Sequence, residues 1–305
     1  MAKIALLFAG QGAQYPGMGR DFYETNEAAQ QVFELADQIR PGTSAQCFAG
    51  SKEELAVTIN TQPCVFTVDL AIAEALRSSG VKAEAVAGFS LGELAALTFA
   101  RAFSAEQGFT LVQERASLMQ AAAKEHPGKM AAVMKLPFEK VEAICEEIGG
   151  MYPVNYNCPG QVSVAGEAGK MDELVSKVKA AKGRAVVLPV GGGFHSPFMR
   201  QAAEAFLPVI QKTGMAEPKL RVYANKTAQP YGTAEGSMPK LLADQIQSPV
   251  KWQKTLEQMM ADGIDTMIEV GPGKTLYGFV QRLNPDFPVY HCDTVENMKE
   301  ILSQV

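Results

Sequence analysis

Histidine is the scarcest chemistry-bearing residue in this chain. Only His126, His195 and His291 occur, so any reaction that needs an imidazole near neutral pH has three addresses. Cysteine is sparse as well: Cys47, Cys64, Cys145, Cys158 and Cys292 are odd in number, widely spread, and form no CxxC pair or zinc-finger spacing. That pattern speaks against a disulfide framework and a metal site, and it predicts reduced thiols and a cytoplasmic setting. A positive surplus is missing too, since 28 Lys and Arg against 33 Asp and Glu leave a net charge of −5. A broad nucleic-acid-binding face is therefore not expected. Residues 3–10 are apolar but too short for a membrane span or a signal h-region, and they run straight into Gly10-Gln11-Gly12, so they read as a first buried strand. Repeats, low-complexity tracts and long linkers are absent.

What is present is 305 residues with 47% apolar content, enough for one large domain or a large domain carrying a smaller one. Strand-like runs at Ile4 to Ala9, Ala85 to Phe89, Leu220 to Ala224, Thr266 to Val270 and Val289 to Cys292 alternate with longer helical patterns. This predicts an α/β protein with a mainly parallel sheet covered by helices on both faces. From Met130 the rhythm changes to strand (130–135), helix (139–148), strand (154–157), strand (162–165), helix (171–182), strand (185–190), the β-α-β-β-α-β order of a ferredoxin-like unit. Glycine-containing boundaries at His126-Pro127-Gly128 and Gly191-Gly192-Gly193 make residues 127–192 an inserted small subdomain. The large α/β subdomain is then 1–126 plus 193–305, and a cleft between the two is expected. Ser104 with Gln107 forms a capping-box pattern that opens a long helix carrying Arg115 and ending near Ala123.

The stretch Gly88-Phe89-Ser90-Leu91-Gly92 follows an apolar run and precedes a helix-forming one. That context marks a candidate nucleophile elbow, in which the glycines permit a sharp strand-to-helix turn and Ser90 stands at an exposed, strained apex. A serine nucleophile needs a base. His126 lies beside Pro127-Gly128, His291 in an apolar run that reads as a buried strand end, and His195 in a glycine-rich loop before Ser196-Pro197. His195 is the candidate base, with helix capping as the competing reading. Oxyanion donors are available at the Leu91 N–H and at Gln11 in Gly10-Gln11-Gly12, which can also be a simple turn. Taken by itself, Arg115 reads as a surface arginine; its functional reading is a bidentate clamp on a carboxylate.

Seven motifs then occur together: Gly10-Gln11-Gly12-Ala13-Gln14, Gly88 to Gly92, Arg115 with Met119-Gln120, Asn155 to Gln161, Phe194-His195-Ser196, Ser248 to Trp252, and Glu269 to Gly273. With them the chain resembles the malonyl-CoA:acyl carrier protein transacylase family over nearly its whole length. The resemblance implies an α/β-hydrolase-like core with a ferredoxin-like insertion, Ser90 as the acylated nucleophile, and His195 as base and then acid. It also implies oxyanion N–H groups at Gln11 and Leu91, a malonyl carboxylate held by Arg115, and Gln245 near the histidine. In the family a backbone carbonyl orients the imidazole, so a missing acid partner is no objection. Phe194 with Leu91 resembles a malonyl-selecting pattern that leaves little room for a methyl branch.

The implied reaction is ping-pong transfer from malonyl-CoA to the phosphopantetheine thiol of holo acyl carrier protein, supplying fatty acid biosynthesis by a monomer. No cofactor is implied, malonyl-CoA being a substrate, and no nucleic-acid or membrane partner. A serine hydrolase or thioesterase, a trans-acting acyltransferase for polyketide synthesis, and a catalytically idle carrier-docking module are the alternatives. Lys177, Lys179, Lys182 and Arg184 form a basic run that is either a carrier-facing patch or a solvated helix face. One residue departs from the family: Phe89 stands where most members resemble G-H-S-x-G.

Overall fold

The computed structural model describes residues 2–233 and 236–305. Among these described residues the nine strands are β1 Ile4–Phe8, β2 Ala83–Gly88, β3 Gly128–Met134, β4 Met151–Cys158, β5 Gln161–Glu167, β6 Arg184–Val187, β7 Arg221–Tyr223, β8 Thr266–Val270 and β9 Val289–Cys292. Five of them form a wholly parallel sheet in the order β7-β2-β1-β8-β9. Alternation along the strands feeds two cores. In β1, Leu6 and Phe8 enter one apolar cluster while Ala5 and Leu7 enter another, so both faces are buried and the strand reads as a continuous apolar run. The mixed α/β fold expected from the sequence is the one observed.

The other four strands form an antiparallel sheet in the order β4-β5-β3-β6. Renumbered within the insertion, this order is 2-3-1-4. Two amphipathic helices, Phe138–Ile148 and Met171–Ala180, contribute Val141, Ile144, Leu174 and Val178 to a core shared with Val133, Val162 and Val164 of the sheet. The small sheet is tied to the rest of the chain through β4. Tyr156 N–H donates to the Val250 carbonyl at 2.9 Å, and Val250 N–H to that of Val154 at 2.8 Å. That is the structural work of the Ser248-Pro249-Val250 segment. Lys177, placed in the basic run, is engaged by Glu147 at 2.7 Å.

Because all five strands of the larger sheet are parallel, the segments leaving their C-terminal ends emerge on one edge. Gln11 follows β1, Ser90 follows β2, Asn225 follows β7 and Gly271 follows β8. The turn after β2 is closely packed on its own backbone. A Cβ on Gly88 would lie 1.9 Å from the Gly92 carbonyl, and one on Gly92 would lie 2.4 Å from the Phe8 carbonyl oxygen. Both glycines are therefore required by backbone-to-backbone contact, beyond any need for unusual dihedrals. Gly88→Ala should cost about 3 kcal/mol, the upper end of the usual range for overpacking, because no side chain can yield to the new methyl. Denaturant unfolding measures this, and a loss below about 1 kcal/mol would contradict so close an approach.

Candidate active site

Ser90 lies directly after β2 with φ 55°, a left-handed conformation rare for a residue with a side chain. It is half-buried, so the exposed apex expected from the sequence is corrected: the loop holding His195 folds over it. Ser90 Oγ is 2.7 Å from His195 Nε2. On the other side of the ring, Nδ1 faces the Gln245 carbonyl oxygen at 2.9 Å. A carbonyl can only accept, so Nδ1 carries the proton and Nε2 presents its lone pair to the serine hydroxyl. His195 is itself left-handed, at φ 60°, and its N–H donates to the Ile246 carbonyl. The helix-capping alternative falls to its neighbour, since the Ser196 side chain accepts from Phe198 N–H.

Burial, reinforced by the positive charge of Arg115, pushes the His195 imidazole down from its ordinary 6.5 to about 4. The ring is therefore neutral, and able to take a proton, across the physiological range. The other two histidines stand apart. His126 caps the C-terminus of helix Ala105–Glu125, and His291 is half-buried beside the Tyr277 ring rather than fully buried in a strand end.

The sequence-only reading of Arg115 as a surface residue is wrong: it is 1% exposed. Helix Ala105–Glu125, opened by the Ser104 and Gln107 capping box, aims its guanidinium at the elbow. It donates to Gln62 Oε1 at 2.7 Å, to Gln245 Oε1 at 3.0 Å and to Ser90 Oγ at 3.3 Å. All three acceptors are neutral, and no carboxylate lies within salt-bridge distance among the described residues. Burial lowers its pKa to about 10, partly offset by Glu93, which leaves it charged at neutral pH. A buried cation surrounded by neutral oxygens and beside a serine hydroxyl is able to receive an anion.

Two further backbone N–H groups belong to residues close to Ser90. Gln11 lines the same cavity as Ser90, and Leu91 starts the helix turn behind it. Neither N–H donates to another group among the described residues. The cavity over Ser90 has a volume of about 90 Å³, with Phe89, Met119, Met130 and Phe194 among its walls. It shares Gln11, Phe89, Asn155 and Leu188 with a second cavity of about 210 Å³ that runs toward Gln161 and Phe279. The buried Asn155 and Asn157 carry side-chain oxygens without a hydrogen-bond partner among the described residues, and both residues line the second cavity. Phe89 adds an apolar wall, its ring edge-on to Trp252 at 5.4 Å between centroids.

Sequence reasoning missed the residues beneath the elbow. Asn225 accepts from Ser90 N–H at 2.8 Å and donates to the Gly88 carbonyl at 2.7 Å. Glu93 is fully buried and bonded to Tyr231, Asn225 and Gln245. An acid inside the apolar run Leu91 to Leu97 was a legible sign of a paired buried carboxylate. Gln62 and Asn225 had no local signal.

If His195 is the base, labelling of Ser90 by a fluorophosphonate should hold constant between about pH 5 and pH 8, because the neutral ring is the competent form above its pKa. It should decline only as pH falls toward 4. A fall centred near 6.5 would show an imidazole free of the burial described.

The model described as "Acyl transferase domain" matches residues 5–299. The malonyl CoA-acyl carrier protein transacylase of Bacillus subtilis is 36% identical over 291 residues, covering 93% of this chain and 91% of that protein. The corresponding Staphylococcus aureus protein is 34% identical over 306 residues, with 98% of each covered. Among solved structures, the Clostridium perfringens transacylase superposes with a TM-score of 0.95 at 35% identity, covering 99% of this chain and 97% of that one. A malonyl-transacylase solved in complex with a type II PKS acyl-carrier protein gives a TM-score of 0.95 at 30% identity, with both chains fully covered.

Proposed function

This chain belongs to the acyl transferase family, and we propose that it moves a malonyl group from malonyl-CoA to the phosphopantetheine thiol of an acyl carrier protein through an ester on Ser90. The observation that carries this reading is the buried Arg115 guanidinium, bonded among the described residues only to neutral oxygens and 3.3 Å from a serine that is 2.7 Å from a neutral histidine. A lipase-like hydrolase has no use for a buried cation at that place. A malonyl group has a carboxylate two carbons from its thioester carbonyl, and the cation anchors the one while the serine meets the other.

In the first half-reaction Ser90 Oγ attacks the thioester carbonyl carbon as His195 Nε2 takes the hydroxyl proton. Negative charge gathers on the carbonyl oxygen, where the Gln11 and Leu91 N–H groups are the proposed donors, each contributing about 10²–10³ in rate by analogy with other such donors. The carbon–sulfur bond breaks and His195 returns the proton to the departing CoA thiol. In the second half the carrier thiol gives its proton to His195, attacks the ester carbonyl, and Ser90 leaves with that proton. Charge is met throughout by N–H donors and a guanidinium, so these steps need no metal or organic cofactor.

The two joined cavities suit a pantetheine arm, which both thiol substrates carry. Its amide N–H groups are matched by the unpartnered Asn155 and Asn157 oxygens, and its hydrocarbon by Phe89 and Phe279. Phe194 beside the nucleophile restricts a branch at the malonyl methylene, a discrimination worth about 1–3 kcal/mol for one methyl. The cavities draw walls from both the 127–192 unit and the unit made of 1–126 and 193–305, the division we favour. The five buried free thiols fit a reducing compartment such as the cytoplasm, where the product would supply fatty acid synthesis.

Ser90→Ala should abolish covalent labelling by malonyl-CoA; persistent labelling would place the nucleophile elsewhere. Arg115→Ala should lower kcat/KM for malonyl-CoA by at least about 10²-fold, since a buried charge-assisted bond is lost. The same variant should lose less, or gain, with acetyl-CoA. Equal losses with both substrates would remove the clamp.

A further inference from the structure

We infer that Glu93 is a positioning residue that sets the direction of the Leu91 N–H, acting through Gln245 and Asn225. The inference rests on the reading of Ser90 as the acylated nucleophile. It begins with the peptide group between Ser90 and Leu91, which is planar and trans, so its carbonyl oxygen and its N–H point in opposite directions. The Ser90 carbonyl accepts from Gln245 Nε2 at 2.6 Å. Whatever grips that oxygen aims the N–H at the far end of the same plane. Accepting a hydrogen bond also polarises the peptide, which makes the N–H a better donor.

Gln245 can do this only with its amide the right way round, and two groups enforce that choice. Arg115 can only donate, so it takes Oε1 at 3.0 Å; the Glu93 carboxylate can only accept, so it faces Nε2 at 3.3 Å. The same Glu93 oxygen accepts from the Asn225 N–H at 2.8 Å. The Asn225 side chain in turn takes the Ser90 N–H, so both backbone polar groups of the strained serine are held by amide side chains of two residues that also donate to one carboxylate, Gln245 through Nε2 and Asn225 through its backbone N–H. Tyr231 hydroxyl donates to its other oxygen. Glu93 is also only three residues from Ser90, and its own N–H donates to the Ser90 carbonyl at 3.1 Å. It touches neither the proposed substrate cavities nor the reacting atoms.

The arrangement needs an acceptor oxygen at full reach and makes no direct use of the charge. In Glu93→Gln, the amide oxygen can accept from Asn225 and Gln245 while its nitrogen donates to the Tyr231 hydroxyl oxygen. Glu93→Asp keeps the charge but is one methylene short. The test is the single-turnover rate of malonyl-Ser90 formation per folded molecule for the parent, E93Q, E93D and E93A, with KM and with fluorophosphonate labelling run in parallel. The Gln variant should stay within about threefold of the parent, whereas Asp and Ala fall at least about tenfold in acylation rate with little change in KM, as for loss of a transition-state donor.

Parental rates in E93D with loss in E93Q would overturn the inference in favour of an electrostatic role. Parental rates in all three variants would reduce Glu93 to a packing residue. If the Ala variant does not fold, the Asp and Gln contrast decides alone. A parent that forms no malonyl adduct would defeat the functional reading instead, and the fluorophosphonate series would still decide the positioning.

Discussion

A serine held at φ 55° between two glycines that cannot accept a methyl group is the constraint on which the rest of the site depends. A left-handed, non-glycine residue costs about 1–3 kcal/mol and persists only where its surroundings leave no alternative. Here the surroundings are distant in sequence. Asn225 and Gln245 take the N–H and the carbonyl of Ser90 from 135 and 155 residues away. The parallel sheet makes that possible, since it delivers the segments after β1, β2 and β7 to one edge.

The same carboxamide groups govern the electrostatics. Arg115 and Glu93 are both fully buried and carry opposite charges when Glu93 is ionised, yet Gln245 stands between them, bonded to each. A direct ion pair would quench the guanidinium. Separation by a neutral amide keeps Glu93 close enough to offset the burial of the cation while leaving the guanidinium open to an incoming carboxylate. Glu93 shows the cost: burial pushes it up to about 7 despite the donors from Tyr231, Asn225 and Gln245 and the field of Arg115. The histidine sees the opposite effect, burial and the nearby cation both favouring its neutral form.

Much of this was legible in the residues. The β-α-β-β-α-β order of the insertion and the apolar runs of the parallel strands were readable because periodicity and turn residues are local properties. The elbow was legible from Gly88, Ser90 and Gly92 in their strand-to-helix context. His195 stood out because few histidines exist to choose from. Arg115 was not, since a helix with apolar neighbours on one face is equally consistent with a snorkelling surface side chain; only the resemblance to a family directed it inward. Gln245 likewise entered by resemblance. Asn225, Gln62 and Tyr231 belong to a network whose members lie on separate elements, and such a network has no signature along the chain.

Intact-protein mass spectrometry after brief mixing with malonyl-CoA, followed by holo acyl carrier protein, tests the central claim most directly. The account predicts a malonyl adduct on Ser90 that forms with release of CoA and then passes to the carrier thiol. An adduct that decays to free malonate without loading the carrier, or no adduct at all, would contradict it.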